Sequence, residues 1–176
     1  MKKILSFVVI FILLMLLTSG GMFFAYKNLL FPKNYIINRD INSLKFITMV
    51  MDIDGGCKTE QKPCFYYFGQ YRLKKEDTSS FSANIYVEQH FFMIGQKNFI
   101  SELENGFSVK NYVKEKFGDK NYIYKGENDY KRLIVSWRSG AKLIAIESYI
   151  NIQPQYQDYF DDLVRDYLEK YPSSIK

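Results

Sequence analysis

Residues 130–150 read YKRLIVSWRSGAKLIAIESYI, two apolar runs on either side of Ser139-Gly140. Alternation puts Leu133, Val135 and Trp137 on one side of the first run. A two-residue Ser139-Gly140 loop makes the runs an antiparallel hairpin and sets its register. Trp137 then faces Lys142, Val135 faces Ile144, and Leu133 faces Ile146 on the core side. On the other side Arg132 faces Glu147 and Tyr130 faces Tyr149. Opposite charges and paired aromatics favour this register, and a slip of one residue would turn the apolar set outward.

The core side of the hairpin needs a cover. Pro154 suits a first helical turn. Tyr156, Tyr159, Phe160, Leu163, Val164, Tyr167, Leu168 and Tyr171 then follow helical spacing without a gap. Asp158, Asp161 and Asp162 suit the positive end of the helix dipole, and Lys170 the negative end. Pro172 stops the helix. A C-terminal amphipathic helix on an antiparallel sheet gives an α+β fold.

Upstream, Cys64 to Leu73 is rich in Phe and Tyr and reads as a strand. Phe81, Ala83, Ile85, Val87 and Phe91 alternate with Ser82, Asn84, Tyr86, Glu88 and His90, which reads as a strand with one wet face. Ile94, Phe99, Ile100 and Leu103 suggest a helix closed by Asn105-Gly106. Ser108 then caps a second short helix, with Val109, Tyr112, Val113 and Phe117 inward and Gly118 at its end; the two are equally one broken helix. Asp40 caps a helix carrying Ile41, Leu44, Ile47 and Met51. The alternative there is a strand from Lys45 to Ile53, and the helix is preferred.

The run from Ile4 to Tyr26 holds no charged residue. At about 1.5 Å per residue it makes a helix of roughly 35 Å, enough for a bilayer core of about 30 Å. It is either a retained transmembrane anchor or a signal peptide cut near Thr18-Ser19-Gly20-Gly21. The renewed apolar stretch from Met22 to Tyr26 favours the anchor. Lys2 and Lys3 hold the N-terminus inside and place the rest of this bacterial-type chain outside the cytoplasm. The expected organisation is a membrane segment over 1–27, a linker over 28–38 and an extracytoplasmic domain over 39–176. The expected location is the cytoplasmic (inner) membrane, single-pass; the alternative is periplasmic or secreted after cleavage.

Cys57 and Cys64 are the two cysteines, and in an exported domain such a pair reads as a disulfide. A redox or metal pair is the competing reading, disfavoured because no His is near them in the sequence. The single histidine, His90, sits at alternate spacing with Glu88 and Tyr86, as a base with its orienting carboxylate would. Residues two apart on any strand share a face, so a solvated face is the preferred reading. Asp52-x-Asp54-Gly55 lacks the further oxygens of a calcium loop. Tyr66, Tyr67, Phe68 and Tyr71 are a candidate recognition patch, weighed against ordinary core.

Setting Lys2 and Lys3 aside leaves 22 basic against 19 acidic residues, without a basic cluster, which argues against nucleic acid as a partner. No catalytic residue, cofactor or metal is expected. The expected role is non-catalytic binding of a protein or envelope component, with the membrane as second partner through the N-terminal helix. A secreted soluble protein and a small envelope enzyme are the alternatives.

Overall fold

A computed structural model describes residues 35–53, 56–58, 64–73, 81–90, 96–150 and 153–176. The expected membrane segment, linker residues 28–34 and part of Asp52-x-Asp54-Gly55 lie outside the described residues. Among the described residues no helix is long and apolar enough to cross a membrane.

The strands are β1 (Leu44–Ile53), β2 (Cys64–Leu73), β3 (Ser82–His90), β4 (Val109–Phe117), β5 (Asn121–Asn128), β6 (Leu133–Ser139) and β7 (Lys142–Ser148). The helices are α1 (Gln96–Phe107) and α2 (Gln157–Lys170), the latter preceded by a 3-10 turn over Pro154–Tyr156. The seven strands form one antiparallel sheet in the order β1-β2-β3-β7-β6-β5-β4. α1 carries the chain from β3 in the middle to β4 at the far edge. The α+β expectation is met.

α2 covers one face of the sheet. Phe160, Leu163, Val164, Tyr167 and Leu168 are buried beneath it. Trp137, also buried, donates its indole N–H to the Tyr171 carbonyl at 2.7 Å. The hairpin forms as expected, but its register is shifted by two residues. Trp137 faces Ile144, Val135 faces Ile146, and Ser139 faces Lys142. The turn is therefore Gly140-Ala141, with Gly140 at φ 61° in the place where a II′ turn puts its glycine. A shift of two keeps every side chain on its expected face, so the core set survives.

Three further expectations are corrected. Residues 44–53 form strand β1 rather than a helix, and 109–117 form strand β4 rather than a second helix. Residues 35–38, expected in the linker, belong to the folded unit that begins at Tyr35. Ile36 and Ile37 are buried, and a Cβ on Gly69 would come within 2.6 Å of Ile36, so the strap lies on bare backbone of β2. Three phenols fasten it. The Ile37 N–H donates to Tyr167 Oη at 2.9 Å, Tyr71 donates to the Ile37 carbonyl, and Tyr171 donates to the Tyr35 carbonyl at 2.7 Å.

Candidate functional site

The other face of the sheet is where the polar residues gather. Tyr86, Glu88 and His90 point there from β3, and the expected wet face is instead buried. α1 and residues 56–58 roof it. Phe107 of α1 packs edge-on against Tyr86, with ring centroids 5.3 Å apart, and Phe99 lies against Tyr124. Lys58 spreads its ammonium over the Tyr86 ring at 5.6 Å and the Phe107 ring at 5.9 Å.

Burial of these groups is tolerable because they bond one another. Glu88 accepts the Lys58 backbone N–H at 2.5 Å through Oε1, and its Oε2 lies 3.5 Å from His90 Nε2. The Cys57–Cys64 disulfide forms beside this pair, with its Cα atoms 6.6 Å apart. Cys64 is the direct cross-strand partner of His90. Both sulfurs and a Glu88 oxygen lie within 4.8 Å of one another. No His is near these cysteines in the sequence; the β2–β3 register brings one there.

A second knot is centred on Glu147 of β7. Its carboxylate accepts from Tyr86 Oη at 2.8 Å, Arg132 Nη1 at 3.1 Å, Asn128 Nδ2 at 3.2 Å and Asn84 Nδ2 at 3.4 Å. The Arg132–Glu147 pairing expected from the sequence is thus made, although Glu147 faces Ile134 in the ladder. Arg132 also donates to Tyr149 Oη at 2.7 Å and lies over that ring at 4.4 Å. Burial, and then the Glu147 charge, push the Tyr86 phenol well above its usual pKa, so it stays neutral. A cleft of about 230 Å³ opens over this knot, lined among others by Lys58, Phe107, Tyr130 and Arg132. With four donors on it, Glu147 shapes the cleft and is poorly placed to take a proton from a ligand.

The proposed aromatic patch is divided between the two faces. Tyr67 and Tyr71 are buried toward α2, while Tyr66 and Phe68 pack beside Tyr86 on the opposite face.

The two sheet edges differ in the balance of exposed side chains, although β1 also carries exposed Lys45 and β4 exposed Val113. β4 carries exposed Lys110, Lys114 and Lys116 and a bulge between Lys110 and Val113, devices that discourage pairing. β1 carries exposed Ile47, Met49 and Val50, at 41, 47 and 51% of their full exposure. Its bulge, between Phe46 and Thr48, leaves Thr48–Ile53 in regular register. Sequence reasoning missed this edge because a helical reading put Ile47 and Met51 inward.

Compared with protein-family models, curated proteins and solved structures, the chain matches none.

Proposed function

We propose that the chain is a membrane-tethered, extracytoplasmic binding domain of non-catalytic type, and that it takes an extended segment of a partner protein along β1. The apolar, lysine-poor β1 edge carries this reading. A sheet edge offers a row of backbone donors and acceptors, and strand addition uses them. Met49 and Val50 are consecutive, so they present apolar surface on both faces of the added strand. The matching ligand is a segment of about six residues with β-branched or aromatic side chains on both faces. Such a strand buries less than the roughly 1,200 Å² of a standard interface, so the contact is transient.

The bulge at Ile47 bends the edge and weighs against a long, flat pairing with a second copy. The disulfide supports an oxidising compartment. The uncharged run from Ile4 to Tyr26 supports the tether.

The test is recovery of the partner by the full-length chain from native membranes. Met49→Lys with Val50→Lys is expected to lose the partner, because edge lysines block strand addition. Val113→Lys, on the opposite edge, is expected to keep it. Equal recovery by both variants, or a partner lost only with Val113→Lys, overturns the reading.

A further inference from the structure

We propose that, when reduced, Cys57 and Cys64 join Glu88 and His90 in a binding site for one zinc ion. The disulfide accounts for the oxidised protein. It does not account for a fully buried carboxylate within 4.8 Å of both sulfurs, nor for a buried imidazole 3.5 Å from that carboxylate on the residue opposite Cys64. Two thiolates, an imidazole and a carboxylate are a zinc ligand set.

The geometry fits the ion. Zinc bonds of about 2.0–2.1 Å to nitrogen and oxygen, at a tetrahedral angle, put those two ligand atoms roughly 3.4 Å apart. His90 Nε2 and Glu88 Oε2 are 3.5 Å apart. Sulfur ligands at about 2.3 Å sit roughly 3.8 Å from each other, against about 2.05 Å in a disulfide, so breaking the bond must let the two sulfurs part before the ion enters. Glu88 Oε1 keeps its bond to the Lys58 N–H while Oε2 ligates, so the backbone orients the carboxylate. The ligands come from β2, β3 and residues 56–58, so the ion pins the same roof that the disulfide pins.

Conversion between the states balances simply. A dithiol reductant gives two electrons and two protons to the Cys57–Cys64 bond and is itself oxidised to a disulfide. Zinc then displaces the two thiol protons to solvent. Disulfide and zinc are mutually exclusive, because the ion needs both sulfurs as thiolates.

The experiment uses the full-length chain in detergent micelles, reduced and desalted without oxygen, then titrated with zinc chloride against a chromogenic chelator. The expected result is one zinc per reduced chain and at least hundredfold weaker binding by the oxidised chain. Cobalt in place of zinc should give thiolate-to-cobalt charge-transfer bands and a tetrahedral d–d spectrum. Glu88→Gln and His90→Asn should each weaken zinc at least tenfold, with Trp137 fluorescence reporting that the fold persists. Binding unchanged by both variants means adventitious thiol capture and overturns the proposal. So does a cobalt spectrum without thiolate bands. If reduction unfolds the chain, zinc must restore the native Trp137 signal; failure to do so also overturns it.

Discussion

Replacing Tyr167 by Phe removes one oxygen from the middle of the α2 face. That oxygen accepts the buried Ile37 N–H at 2.9 Å and lies 3.5 Å from Tyr71 Oη. The strap then holds a buried donor with no acceptor, a loss of about 1–3 kcal/mol. At roughly 2–4 °C per kcal/mol, a mid-range loss of about 2 kcal/mol lowers Tm by about 4–8 °C. Tyr71→Phe strips the hydroxyl that donates to the carbonyl of the same residue, Ile37. Because both phenols hold one residue, the double variant should be less destabilised than the sum of the singles, by at least about 0.5 kcal/mol. Urea unfolding of the full-length chain in micelles, followed by Trp137 fluorescence, measures all four corners of the cycle. A Tyr167→Phe loss under about 0.5 kcal/mol, the range of a surface change, would refute the fastening of the strap. Strict additivity would refute its sharing.

Alkaline pH should unfold the domain through its phenols. Burial pushes Tyr67 and Tyr71 up to about 12. In the unfolded chain they ionise near 10. Their stabilisation is whole below about pH 10 and falls as pH rises toward 12, by about 1.4 kcal/mol per pH unit for each phenol. Burial lowers Lys142 and Lys170, which act in the opposite sense, but Tyr35, Tyr86, Tyr112, Tyr167 and Tyr171 are raised as well. A urea midpoint that stays flat between pH 9 and 11 would contradict this. Cys57→Ser with Cys64→Ser opens a loop whose ends are seven residues apart, and chemical denaturation should read a loss of about 2.5 kcal/mol. Glu147→Gln turns a pure acceptor partly into a donor among four donors and should lose about 1–3 kcal/mol; a neutral result would show that the knot is not tight.

What was legible in the sequence, and what was not, follows from where each element lies in the sheet. α2 has one partnered face, so its apolar period is unbroken; the β6–β7 hairpin is buried on both faces and reads as two nearly continuous apolar runs about a glycine turn. The two strands misread as helices, β1 and β4, are the two edges, and each carries a bulge. In β4 the extra residue, with Asn111 at φ 62°, lets Val109 and Tyr112 both reach toward Gly126. A bulge therefore sets residues three apart on one side, which is the spacing of a helix. The wet face assigned to β3 failed for a different reason. Polar side chains in alternation look solvated when read locally, and the cover over Glu88, His90 and Glu147 comes from distant residues 56–58 and α1. The same distance hid His90 from the cysteines, since only the β2–β3 register places it opposite Cys64.

Strand addition along β1 is tested most directly by placing a photo-crosslinking amino acid at Met49, at Val50 and, as a control, at Val113, in cells that express the full-length chain. The adducts are then mapped by mass spectrometry. Positions 49 and 50 should both capture one partner, and their crosslinks should fall within one short extended segment on residues of opposite faces. Capture spread over unrelated proteins, or efficient capture of the same partner from position 113, would contradict the assignment of β1 as the binding edge.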